Sequence, residues 1–147
     1  MEFRLARYAD ADSIVQIDER IQADRSLVNF IHKSISSRHC FVAVTSDGYV
    51  IGYGVMDNSF FDHGFIAELY VDPQFRERGV ASGLIRHLEE ICKSDKLFLA
   101  ISESNQPMLN LLEKLEYRKS GFIENLDADG PLLVYSVQLQ TSSSRRR

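Results

Sequence analysis

The sequence predicts an α/β fold, and three observations carry this. Phe65 to Val71 is rich in strand formers, and Asp72-Pro73 ends the run, because proline has no N–H for a ladder and aspartate favours turns. After Gly79 the apolar residues Val80, Ala81, Leu84, Ile85, Leu88, Ile91 and Cys92 mark one face of an amphipathic helix. Leu97 to Ile101 is then continuously apolar, which suits a strand covered on both faces and typically parallel. Strand, helix and strand in that order make a right-handed crossover.

The other elements follow in chain order. Phe3 to Arg7 predicts a short first strand. Asp10 or Asp12 can cap a helix whose buried side carries Ile14, Val15, Ile17 and Ile21. A second helix is expected over Ser26 to Ser36, with Leu27, Val28, Phe30, Ile31 and Ile35 apolar. The charges between them (Asp18, Glu19, Arg20, Asp24, Arg25) read as a solvated face rather than a specificity device. Cys40 to Thr45 and Tyr49 to Met56 form strands joined by a Ser46-Asp47-Gly48 hairpin turn. Asp57 to Gly64 is expected as a loop, its Phe60-Phe61 pair favoured for core packing over lining an acceptor site. A strand over Lys96 to Ile101 follows the helix after Gly79. Ser104 or Asn105 caps a further helix, with Pro107 in its first turn and Met108, Leu109, Leu111, Leu112 and Leu115 apolar. Tyr117 to Ile123 and Leu132 to Leu139 complete about seven strands, set beside about four helices.

The 147 residues suffice for one domain with one core, placed here at 1–140. Residues 141–147, Thr-Ser-Ser-Ser-Arg-Arg-Arg, have no apolar anchor and are expected to be a disordered tail. A net charge of −4 gives no support for a nucleic-acid partner. No apolar run approaches the roughly 20 residues that cross a bilayer, and Met-Glu-Phe-Arg has no signal-peptide form. Cys40 and Cys92 lack metal spacing and are expected to be reduced thiols, so the expected location is the cytoplasm. His32, His39, His63 and His87 are scattered, and no metal is expected.

The chemically informative stretch is Glu68-Leu69-Tyr70-Val71-Asp72-Pro73-Gln74-Phe75-Arg76-Glu77-Arg78-Gly79-Val80-Ala81-Ser82. A helix entrance leaves backbone N–H groups unpaired and carries partial positive charge. Anions fit there where no side chain blocks them. Gly79 removes one side chain and Ala81 nearly removes another, while Arg76 and Arg78 add charge and fork-shaped donors. The loop is suited to a pyrophosphate; a surface turn with two solvated arginines is the plain alternative. There is no Gly-Lys-Ser/Thr ending and no dinucleotide glycine fingerprint.

Arg76-x-x-Gly79-x-Ala81, after a strand ending Leu69-x-Val71-x-Pro73, resembles motif A of the GNAT superfamily of acyl-CoA-dependent N-acyltransferases. The resemblance runs from about Phe3 to about Leu139. It implies the GNAT fold, a mixed central sheet of about seven strands with splayed parallel strands holding the cofactor. It implies acetyl-CoA as co-substrate, its pyrophosphate on the backbone of the Arg76–Ser82 loop and its arm beside Leu69, Tyr70 and Val71. Backbone N–H groups near Leu69 to Val71 are then expected to face the oxyanion. Asn105 matches a family asparagine that bonds the cofactor arm, beside its plainer role as a cap. The first two helices are expected to shape the acceptor pocket.

The implied reaction is attack of an amine on the thioester. Glu68 is the candidate base that takes the amine's proton; binding a cationic acceptor or pairing with an arginine are the other readings. The family often carries a tyrosine as general acid in the helix after the asparagine, and alignment puts Leu112 there, Met108 at its alanine and Glu116 at its glycine. Leucine donates no proton. The reading is an N-acetyltransferase acting on a primary amine, with a small molecule favoured over a protein. A protein acetyltransferase and a non-catalytic acyl-CoA-binding regulatory domain are the rivals. A homodimer is left open.

Overall fold

A computed structural model describes residues 1–139, and the tail assigned to 141–147 lies outside the described residues. Seven strands are present among the described residues: β1 Glu2–Leu5, β2 Cys40–Val44, β3 Val50–Phe60, β4 His63–Val71, β5 Lys96–Ser102, β6 Arg118–Ile123 and β7 Leu132–Gln138. They form one mixed sheet in the order β1-β2-β3-β4-β5-β7-β6. Five helices accompany them: α1 Ala11–Ile17, α2 Glu19–Ala23, α3 Ser26–Ser36, α4 Val80–Ile91 and α5 Gln106–Lys114. The fifth arises where the expected first helix breaks at Asp18, whose backbone is extended (φ −91°, ψ 103°) and whose side chain caps α2 by accepting from the Arg20 N–H. The described residues form two compact units, one of Met1–Met56 with Glu68–Glu90, the other of Asp57–Ala67 with the described residues from Ile91 on.

In the first unit, β1 pairs with β2 and β2 with β3, both antiparallel. Its core gathers Ala43, Ile51, Val71, Val80 and Leu84, flanked by Phe3, Leu69, Phe75 and Ala81. So α4 is held against the sheet by the apolar face read from its spacing. Gly52 makes this approach possible: a Cβ there would stand 3.1 Å from both the Tyr70 carbonyl and Val80 Cγ1. Gly83 does the same for β1, since its missing Cβ leaves room for the Phe3 ring.

Two expectations for this unit need correction. Asp10 does not cap α1 with its side chain. It turns back to accept from the Arg7 N–H at 2.7 Å and from both terminal nitrogens of Arg4. A bidentate charged partner outcompetes a neutral N–H for the carboxylate. The charged run after α1 is not uniformly solvated either. Asp18 is fully buried, with Ile14 and Ile21.

In the second unit, β4 runs parallel to β5 with Gly64, Phe65 and Ile66 opposite Leu97, Phe98 and Leu99. β5 pairs antiparallel with β7, and β7 with β6, where the register shifts between Lys119 and Gly121. The expected Asp57–Gly64 loop is instead the end of β3, a two-residue turn and the start of β4. Phe61 and Asp62 both have positive φ (52° and 64°), the pattern of a tight primed hairpin turn. Without glycine or asparagine at those positions, Asp62 was the turn's one local sequence signal. Phe60 packs on Phe65 and Phe98 at 5.3 and 5.0 Å between ring centroids, so strand pairing continues to the turn. Phe61 is 82% exposed, and core packing holds for Phe60 alone of the pair.

Candidate functional site

Alternation along β4 decides what each residue of the motif offers. Leu69 and Val71 turn into the core against α4. Glu68 and Tyr70 turn the other way, toward α2. There Glu68 Oε1 lies 2.9 Å from Arg20, and the Tyr70 hydroxyl accepts from the Glu19 N–H at 3.3 Å. The Arg20 guanidinium carbon also stands 4.8 Å from the centroid of the Tyr70 ring. Of the readings open for Glu68, pairing with an arginine is present in the structure.

Arg20 is itself held from behind. Its Nε and one terminal nitrogen grip the two oxygens of Asp18 at 3.0 and 2.7 Å. The hydroxyl of Tyr53, a fully buried residue, donates to the same carboxylate at 2.6 Å. Burial opposes charge on Asp18, yet the hydrogen bonds from Arg20 and Tyr53 and the Arg20 charge outweigh it and hold the carboxyl below its ordinary value. Burial also works against the Arg20 charge, but the Asp18 hydrogen bond and the Glu68 charge more than compensate and raise its pKa. Burial, with the Asp18 hydrogen bond and charge, pushes the Tyr53 phenol well up. Tyr53 is therefore a neutral donor.

Asp18, Arg20 and Tyr53 are the residues that sequence reading missed. A signal was there: Asp18 sits four residues after Ile14 and three before Ile21, on a buried helical stripe. A charge in such a stripe needs a partner, and Tyr53 in β3 is one that spacing cannot reveal.

The loop after β4 is shaped by its own side chains. Asp72 accepts from the Gln74 N–H at 3.0 Å and opens a tight turn over Pro73–Phe75. Arg76 folds back, its Nε donating to the Val71 carbonyl at 3.0 Å and its guanidinium lying 5.1 Å from the Tyr70 centroid. Arg78 lies over Phe75 at 5.3 Å. Gly79 has φ +84°, which only glycine adopts at little cost, and a Cβ there would meet nothing within 4 Å. The first bond of α4 runs from the Gly83 N–H to the Gly79 carbonyl at 2.9 Å. The N–H groups of Val80, Ala81 and Ser82 therefore precede the helical ladder and point out of the helix start. Val80 buries its side chain, whereas Arg76, Arg78 and Gly79 are exposed. An exposed helix start whose backbone donors follow two arginines in the chain fits a pyrophosphate.

The remaining expected residue, Asn105, belongs to the second unit, where its Oδ1 caps α5 by accepting from the Met108 N–H at 3.3 Å. The capping role is thus filled, with the amide NH2 left over. Leu112 on α5 is fully buried and Tyr117 nearly so.

Residues 7–117 match the acetyltransferase (GNAT) family. An acetyltransferase of Pectobacterium atrosepticum is 30% identical over 124 residues, covering 80% of this chain and 87% of that protein. An N-alpha-acetyltransferase of Sulfurisphaera tokodaii is 23% identical, with 88% of each chain covered. Among solved structures, a GNAT-family acetyltransferase of Bacillus cereus superposes with a TM-score of 0.87 at 30% identity, covering 94% of this chain and 96% of that one.

Proposed function

Because this chain belongs to the acetyltransferase (GNAT) family, we propose that it transfers an acetyl group from acetyl-CoA to a primary amine by direct attack in a ternary complex. The observation that carries the reading is the start of α4, where a Cβ on Gly79 would meet nothing within 4 Å and the helical ladder begins only at the Gly83 N–H, leaving the N–H groups of Val80, Ala81 and Ser82 ahead of it. In this reading those groups, with Arg76 and Arg78, hold the pyrophosphate of the co-substrate. The backbone of Leu69, Tyr70 and Val71 faces the thioester. The amide NH2 of Asn105 is a further cofactor contact. No metal takes part.

An alkyl ammonium of lysine type has a pKa of about 10.4, so near neutral pH it must lose a proton before it can attack. Glu68 takes that proton, directly or through water. The nitrogen lone pair adds to the carbonyl carbon and forms the C–N bond, the nitrogen gives up its second proton to water, the C–S bond breaks, and the sulfur leaves as thiolate. Leu112 has no proton to give, so the thiolate is protonated by water. A thiol pKa of about 8.5 makes this departure tolerable. We read residues 1–140 as a single acyltransferase domain of the cytoplasm, with no nucleic-acid or membrane partner. Among the described residues no helix is long and apolar enough to cross a membrane.

A small-molecule amine is the proposed acceptor. A protein N-terminus is the second reading, favoured by the N-alpha-acetyltransferase named among the relatives. The test is thiol release from acetyl-CoA with a panel of small primary amines beside a panel of peptides with free N-termini, for the wild type and Glu68→Gln. Release with small amines, lowered by Glu68→Gln at unchanged acetyl-CoA affinity, supports the proposal. Release with peptides alone transfers it to the second reading. Binding of acetyl-CoA without release on either panel leaves a non-catalytic acyl-CoA-binding domain.

A further inference from the structure

We propose that Arg20 is a positioning residue: anchored on Asp18 and Tyr53, it fixes the place and direction of the Glu68 carboxylate. This rests on the reading of Glu68 as the base.

The geometry is that of a fixed arm. One terminal nitrogen of Arg20 lies 2.7 Å from Asp18 Oδ2, 3.2 Å from the Tyr53 hydroxyl and 2.9 Å from Glu68 Oε1. That nitrogen has two hydrogens for three acceptors. Its Nε is meanwhile committed to Asp18 Oδ1 at 3.0 Å, and Oδ1 also accepts the Arg20 backbone N–H at 2.9 Å. Asp18 has no exposed surface, whereas the Arg20 side chain is 44% exposed and Glu68 20%. The buried end is the anchor and the Glu68 end is the working end. A bidentate arginine–carboxylate pair fixes direction as well as charge, so the guanidinium cannot follow Glu68 without breaking a buried bond.

Two carboxylates therefore share one cation. The other groups at this place are Tyr53 from β3, Tyr70 two residues along β4, and Arg76, whose guanidinium lies over the Tyr70 ring. A residue that only packed the fold would lose stability and turnover together, whereas a positioning residue loses turnover in a protein that stays folded and still binds the co-substrate.

The experiment measures thiol release from acetyl-CoA with a responsive amine, separating kcat from KM, with acetyl-CoA affinity by calorimetry and a melting curve beside it. Arg20→Gln is expected to lower kcat by up to about 100-fold, the cost of a misplaced group, at unchanged acetyl-CoA affinity. Arg20→Lys, which keeps the charge but not the bidentate hold on Asp18, is expected to recover part of that loss. Should Arg20→Gln fail to fold, Arg20→Lys carries the comparison. Wild-type kcat in a folded Arg20→Gln overturns the role of Arg20. Wild-type thiol release by Glu68→Gln instead overturns the parent reading, and the catalytic meaning of Arg20 with it.

Discussion

The hydroxyl of Tyr53 donates a 2.6 Å bond to Asp18, a carboxylate with no exposed surface. The bond joins β3 to the cap of α2, 35 residues earlier in the chain, and so fixes the helix that carries Arg20. Tyr53→Phe keeps the ring and removes the donor. Hydrogen bonds to charged groups contribute about 1.5–3 kcal/mol, and a loss of this size is expected as a lower urea midpoint at unchanged slope.

Acid should unfold the protein through Asp18 and Asp10. At both, burial opposes the charge and is outweighed by bonds from arginine and from backbone N–H groups, so both carboxyls sit below the ordinary value. With a folded pKa below the unfolded one, the unfolded chain binds more protons in the window between them. The stability from these groups is then fully present above the unfolded value of about 3.9 and is lost as pH falls through the lowered folded values. Melting temperatures should hold steady down to about pH 5 and fall steeply below about pH 4. Asp18→Asn should start lower and fall less steeply.

Gly79→Glu should abolish acetyl-CoA binding. The position is exposed and its Cβ would meet nothing within 4 Å, so the space is there for a ligand. A glutamate fills it and repels the pyrophosphate. Its positive φ also strains any side chain, so calorimetry with acetyl-CoA must be read beside a melting curve. Unchanged affinity in a folded variant would place the co-substrate elsewhere.

Gly83→Ala sets two effects against each other. Helix propensity favours alanine by about 0.8–1.0 kcal/mol. The new Cβ, however, lands on the Phe3 ring, which is stacked beside His87 at 6.2 Å. Overpacking of this kind costs about 1–3 kcal/mol, so a net loss of stability is expected. In a Phe3→Leu background the same change should become neutral or stabilising. A double-mutant cycle by urea unfolding measures the coupling.

Leu112→Tyr tests whether the family's acid can be restored. Leu112 is fully buried, so the larger ring is expected to destabilise the fold by about 1–3 kcal/mol. Thiol release should not rise, because a ring forced into a filled core does not reach the thiolate. Faster release from a folded variant would show that the side chain finds the cofactor and that proton donation had limited the rate.

The order of elements and the Arg76–Ser82 loop were legible in the sequence, because apolar spacing, proline and glycine act over a few neighbouring residues. α3 runs over Ser26–Ser36 and α4 starts at Val80, as the spacing requires. Phe61-Asp62 was not legible as a turn: Asp62 is its one turn-favouring residue, there is no glycine or asparagine, and the aromatic contacts of Phe60 with Phe65 and Phe98 that accompany the two positive φ values join residues far apart in the chain. Nor was the setting of Glu68. Its place on the strand followed from period-two alternation, but its partner Arg20 is 48 residues away in a run that reads as solvent-facing. Tertiary structure alone decided that contact, because a buried Asp18 must be satisfied, and Arg20 and Tyr53 are the groups the fold brings to it.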